Sequence, residues 1–222
     1  MNKAKTVVDF YVLCNELKNV IRSGWKLWNV RRDRLESVAE HIFGVQMLAI
    51  AMHSQYNYDI DIYKVIMMLA VHELEEIIIG DLTPWDMSAA ERNKQGKEAV
   101  RVILQGMLNK EEIKMLILEF DARKTKEAKF AFYCDKLEAD IQAKLYDAEG
   151  CVDLGNQDGN RALRNERVQE LLQAKKSWSG MWLTFDREKY GFDENFAEVS
   201  KYVENNDIAA ARKNGTLNKQ RS

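Results

Sequence analysis

Two of the chain's three histidines stand beside carboxylates. Glu40 precedes His41, and His72 opens the run His72-Glu73-Leu74-Glu75-Glu76, which continues through three isoleucines to Gly80-Asp81-Leu82-Thr83-Pro84. Both groups lie in the most apolar part of the sequence. Neutral imidazole is the commonest protein ligand for a divalent metal, and a ligating histidine usually leans on a carboxylate that fixes its tautomer. The grouping supplies what a divalent-metal site needs, and the chemistry such a site supports is metal-assisted hydrolysis.

His72 and Glu73 sit in a stretch that reads as a buried helix, where an unpaired carboxylate is costly. A cation resolves that cost. Adjacent helical residues diverge by about 100°, so both can reach one ion only if it lies off the helix flank. Glu76 follows His72 by four positions and Glu73 by three, which places it on the same face, within reach of an attacking water without being a ligand. Taken alone, this segment also reads as a satisfied core histidine beside a solvated acidic stripe, and His41 alone as part of a helix cap. A third element weighs against the bland account. In Phe130–Tyr146, Asp135 and Glu138 share a helical face with Gln142 in an otherwise apolar segment, while Asp140 points elsewhere.

The elements that must position these residues are helical. One proline in 222 residues removes the commonest helix breaker, and no segment shows sustained period-2 alternation. The pattern predicts a first helix over residues 5–21, an irregular stretch from Trp25 to Leu35, and a second helix opened by a capping box at Ser37-Val38-Ala39-Glu40. A third helix runs from an Asp61 N-cap to Ile79, ended by Gly80. Further helices are expected over 89–107, 110–120, 125–148, 160–178 and 193–212. The fold class is therefore all-α, a single-domain helical bundle, since no composition break or linker divides the chain.

Composition excludes several classes. The chain is 46% hydrophobic and 31% charged, with a mean hydropathy of −0.44, so a core and a polar surface are both provided for. Apolar runs such as Val65–Val71 are too short for a bilayer, no signal peptide opens the chain, and a cytoplasmic protein with no membrane partner is expected. Cys14, Cys134 and Cys151 lack a Cys-x-x-Cys spacing, which argues against a disulfide framework or a zinc knuckle. A net charge of −2 gives no nucleic-acid footprint, and the basic tail Lys213–Arg221 reads as a frayed terminus. Trp25, Trp28 and Trp85 can stack on a base but read first as core, and Gly155–Gly159 reads as a turn because Leu154 stands where a calcium loop needs a carboxylate.

Arg34–His41, His72-Glu73 with Glu76 and Gly80–Pro84, and Asp135–Ala143 together resemble the HD superfamily of metal-dependent phosphohydrolases, closest to its 5′-deoxynucleotidase-like branch. The resemblance covers about residues 15–150, the helices over 160–212 packing on that core. It implies an all-α homodimer that holds one divalent ion (Mn, Co, Mg, Ni, Fe or Zn) and hydrolyses a small phosphorylated substrate, a nucleotide. Carried over, the ligands are His41, His72, Glu73 and Asp135. Glu76 is the acid that positions or activates water, Asp81 lies near the sugar, and Arg31, Arg32 and Arg22 compete for the phosphate. The chain departs from the family in having His72-Glu73 where the family name comes from His-Asp; glutamate also ligates such ions, with one more methylene of reach. Dinuclear branches need further histidines, and His53, twelve residues after His41, faces away. The expected reaction is hydrolysis of (deoxy)nucleoside 5′-monophosphates. The alternatives are a dNTP triphosphohydrolase using Lys94 and Lys97, and a non-catalytic helical dimer whose site has decayed.

Overall fold

The structure, a computed structural model, describes residues 2–83, 85–175 and 177–211. Pro84 of the motif, the last position of the expected 193–212 helix and the basic tail lie outside the described residues. Within them the regular structure is helical, with one isolated bridge, Ile21 to Ser37, and no strand.

α1, Lys3–Asn15, begins at Asn2, whose side chain accepts from the Lys5 amide. The helix expected to reach residue 21 instead tightens into a 3-10 turn, Glu16–Lys18, and stops. The backbone of residues 20–22 is committed elsewhere: Arg22 N donates to Glu36 O at 3.1 Å and Val38 N to Val20 O at 2.8 Å. A short helix, α2 (Ser23–Leu27), then enters the stretch expected to be irregular. α3, Val38–Tyr56, opens with the expected capping box: Ser37 Oγ accepts from Glu40 N and Glu40 Oε2 from Ser37 N, at 3.3 and 3.0 Å.

The third expected helix is divided. α4, Ile62–Val71, starts at its Asp61 cap, a run of turns follows from His72 to Glu75, and α5 is only Glu76–Ile79. Gly80, at φ +74°, ends it in a conformation that disfavours other residues. α6 (Ala89–Ile103), α7 (Lys110–Ala122) and α8 (Lys126–Ala148) follow close to expectation. The stretch expected as one helix over 160–178 is a 3-10 turn, Arg161–Arg164, then α9, Glu166–Lys175. α10, Trp178–Tyr190, is an element the sequence pattern did not predict, and α11, Glu194–Asn205, closes the helical series before a 3-10 turn, Ile208–Ala210.

The described residues fall into two compact units, 2–26 with 33–135 and 27–32 with 136–211. In the first, α4 packs on α3 and α7, and α5 on α6. Its core includes Val71, Leu74, Val100, Leu104 and Ile117, with Phe10 and Cys14 of α1 against them. Each such side chain contributes about 1.5–3 kcal/mol when fully buried. In the second, α10 packs on α9 and α11, and Trp28 lies against Trp178 and Trp182 with ring centroids 6.0 and 5.8 Å away. Trp28 is thus core. No helix among the described residues is long and apolar enough to cross a membrane.

Candidate metal centre

Three helical segments within the first unit bring together four side chains able to hold a metal ion. His41 follows the capping box of α3, His72 and Glu73 leave the end of α4, and Asp135 lies on α8; all four are buried, and one ligand atom of each lies within 4.8 Å of the others. His41 Nε2 is 3.0 Å from Asp135 Oδ1. The four residues expected as ligands are the four assembled.

His72 shows what the cluster lacks internally. Its Nδ1 is 2.8 Å from the carbonyl of Leu69, which can only accept, so Nδ1 carries the proton and Nε2 the lone pair. Nε2 is buried with no hydrogen-bond partner, 3.6 Å from Glu73 Oε1. Burial holds the His72 imidazole below its usual pKa, in the neutral form that ligates metal. Phe120 packs against the ring, centroids 4.8 Å apart. An orphaned imidazole nitrogen costs about 1–3 kcal/mol, and here it faces two carboxylates and a second imidazole. Two nitrogen and two oxygen donors suit a borderline divalent cation, so the residues present fit the metal.

The division between α4 and α5 shapes the rest. Leu74 N bonds Val71 O, Glu76 N bonds Glu73 O and Ile77 N bonds Leu74 O, all three-residue steps. Side chains three apart eclipse in such an overwound backbone. Glu76 therefore lines up with Glu73, instead of following His72 along one continuous helix. Glu76 is 1% exposed; Oε1 accepts from Arg92 Nη2 at 3.2 Å, and Oε2 is buried without a partner. Burial first, then the charges of Glu73 and Asp81, push its carboxyl well above the ordinary value.

Asp81 Oδ2 accepts from Ser23 N at 2.7 Å and lies 3.7 Å from Arg22 Nη1, which is also 3.7 Å from Glu73 Oε1. Of the three arginines in competition, Arg22 is the one beside the cluster, carried there by the Ile21–Ser37 bridge. Arg31 and Arg32 belong to the second unit, where Arg31 faces Asp153 at 3.7 Å and Arg32 donates to Glu149 at 2.9 Å and covers the Tyr146 ring. Arg92 was missed by sequence reasoning: nothing in the charged pattern of α6 separates it from Lys94 and Lys97, which are exposed. His53 is not among the cluster residues, and Trp25 is buried with Nε1 donating to Glu36 at 3.0 Å. Trp85 is half-buried, its amide 3.4 Å from Thr83 Oγ1.

The sequence profile of the HD domain matches residues 14–178. The 5′-deoxynucleotidase HDDC2 of Danio rerio is 33% identical over 145 residues, covering 64% of this chain and 70% of its own length. The 5′-deoxynucleotidase hdd1 of Schizosaccharomyces pombe is 31% identical over 156 residues, covering 66% and 76%. Among solved structures, a conserved hypothetical protein from Pyrococcus furiosus aligns at TM-score 0.57 and 27% identity over 73% of this chain and 98% of that one. A predicted metal-dependent phosphohydrolase from Magnetospirillum magnetotacticum aligns at 0.61 over 96% and 94%, and at 19% identity it speaks to fold alone. The profile takes in most of the chain together with all four clustered residues, and the chain belongs to the HD domain family.

Proposed function

We propose that the protein is a metal-dependent phosphohydrolase that releases inorganic phosphate from (deoxy)nucleoside 5′-monophosphates, with one divalent ion held by His41, His72, Glu73 and Asp135. The observation that carries this is the buried, unpartnered His72 Nε2 among three other ligand atoms, next to a buried acid and an arginine. The relatives named 5′-deoxynucleotidase support the substrate class.

A divalent ion in this cluster supplies Lewis-acid polarisation of a phosphoryl oxygen and eases deprotonation of the attacking water. Glu76 orients that water through Oε2 and takes its proton; a carboxylate whose pKa is raised is the stronger base. Arg22 meets the phosphate charge, in preference to Arg31 and Arg32, whose guanidiniums face Asp153 and Glu149. Asp81, anchored on the Ser23 amide, accepts from a sugar hydroxyl. The water oxygen bonds to phosphorus as the P–O bond to the nucleoside breaks, and the proton taken by Glu76 balances the one the leaving 5′-oxygen takes up, giving nucleoside and inorganic phosphate.

We further propose that the protein is a cytoplasmic homodimer. Cys14, Cys134 and Cys151 form no disulfide among the described residues, which suits a reducing compartment. Exposed Phe43, Met47 and Ile50 along α3, with Tyr63 and Met67 on α4, provide an apolar surface for a second copy.

The test is phosphate release from a panel of nucleoside mono- and triphosphates by protein loaded with Mn²⁺, Co²⁺ or Mg²⁺, beside His72→Ala. Phosphate from monophosphates that disappears in the variant supports the proposal. Tripolyphosphate from dNTPs would move the substrate to triphosphates, and silence under every metal would overturn the nucleotide reading.

A further inference from the structure

One side chain touches both halves of the proposed machinery without belonging to the ligand set. Arg92, on the first turn of α6, donates from Nη2 to Glu76 Oε1 at 3.2 Å and from Nη1 to the Leu82 carbonyl at 3.3 Å. Its guanidinium thus bridges α5 and the segment that leaves Gly80 carrying Asp81. We propose that Arg92 is a positioning residue: it clamps Glu76 so that Oε2 is the oxygen left for the water, and it fixes the Asp81 segment relative to Glu76. The catalytic part of this rests on the phosphohydrolase reading above.

Three observations make the clamp specific. Among the described residues Arg92 is the arginine that donates to the Glu76 carboxylate, since the neighbouring Arg22 lies against Glu73 and Asp81 and the other polar neighbour of that carboxylate is the acidic Glu73. The terminal torsion of a glutamate is broad, so without a partner on Oε1 the carboxylate has no fixed plane. Gly80, with φ +74° and open space where a Cβ would lie, does not by itself dictate the course of residues 81–83. Ser23 N and Arg22 hold the Asp81 carboxylate and Asp86 holds Thr83, and the grip on the Leu82 carbonyl adds the tie of this segment to α6 and, through Arg92, to Glu76. A planar two-donor fork can hold two acceptors in one plane, and an ammonium at the same place cannot. The Arg92 side chain is 37% exposed whereas Glu76 is 1% exposed, so the clamp reaches the buried acid from the solvent side.

That exposure allows a test by chemical rescue. In Mn²⁺-loaded protein, Arg92→Ala is expected to lower kcat roughly 10- to 100-fold, the scale of a misplaced reacting group, with bound metal unchanged and KM moved much less than kcat. Free guanidinium at sub-denaturing concentration should recover several-fold of the lost kcat in Arg92→Ala and none in Glu76→Gln. Arg92→Lys should recover less than guanidinium does. Amide exchange at residues 81–83 should be faster in Arg92→Ala and slowed again by guanidinium, independently of any substrate. A kcat within twofold of the parent, loss of bound metal in Arg92→Ala, or unchanged exchange would overturn the clamp. A parent protein that releases no phosphate removes the activity reading, and the exchange measurement then decides the clamp by itself.

Discussion

Glu76 holds a carboxyl group where burial, Glu73 and Asp81 all oppose its charge, a placement that makes sense for a group that must take a proton. Glu76→Gln keeps the shape and an oxygen for Arg92 while abolishing proton acceptance. We expect kcat to fall by about 10²–10⁴, with bound manganese unchanged in metal analysis; an unchanged kcat would remove Glu76 from the chemistry. Asp140 meets a similar problem in the second unit. It is 3% exposed and its Oδ2 has no partner. Burial, and after it Asp186, push its carboxyl well above the ordinary value. Because the folded state then holds this proton more tightly than the unfolded one, the contribution of Asp140 to stability is most favourable below the unfolded pKa of about 4 and declines as pH rises towards the folded pKa. Asp140→Asn should therefore flatten the pH dependence above 4 and add on the order of 1–3 kcal/mol near pH 7, read from urea unfolding at several pH values. A parallel pH dependence in parent and variant would count against it. At this scale His41, His72, Glu73 and Asp135 stood out by residue type within apolar surroundings, and their grouping into one set, which the structure clusters, came from the family resemblance and not from local spacing. The choice of Arg22 over Arg31 and Arg32 follows from a backbone bridge between distant residues, and Arg92 reaches Glu76 across 16 positions, so neither has a local signature.

Helix starts announce themselves through their caps: Ser37 with Glu40, and Asp61 accepting from Lys64 N at 3.0 Å, stand where the pattern places them. Ser37→Ala removes one half of the box that sets the first turn before His41. It should cost about 1 kcal/mol, seen as a lower urea midpoint with an unchanged slope, and no shift would mean the box adds nothing to α3. Helix interruptions were less readable. From Val65 to Ile79 the sequence carries no glycine or proline, yet α4 stops at Val71. At the break the His72 side chain bonds the carbonyl of Leu69, and from Leu74 N onward the backbone steps shorten from four residues to three. A propensity pattern does not register a side chain competing for a carbonyl. α10 escaped for a related reason. Its N-cap is Ser177, accepting from Gly180 N, and a serine with a glycine three residues on looks locally like a loop.

For the whole molecule, the cluster couples a cation to the folded state. A ligand that binds only the native form at 100 times its dissociation constant adds about 2.7 kcal/mol. Manganese should therefore raise the thermal midpoint of the parent protein and EDTA should reverse the rise, while His72→Ala should respond to neither; equal responses in both proteins would place the bound metal elsewhere. The cluster's ends are also far apart along the chain: His41 meets Asp135 across 94 positions. Closing so long a segment is entropically costly, and a contact of that span typically forms late on the way to the native state. A cation then finds its full ligand set only after most of the chain has been organised. Interactions completed after the folding barrier act on escape from the native state and leave entry unchanged. The metal should behave as a kinetic latch, slowing unfolding by nearly its whole binding free energy and leaving the refolding rate almost untouched.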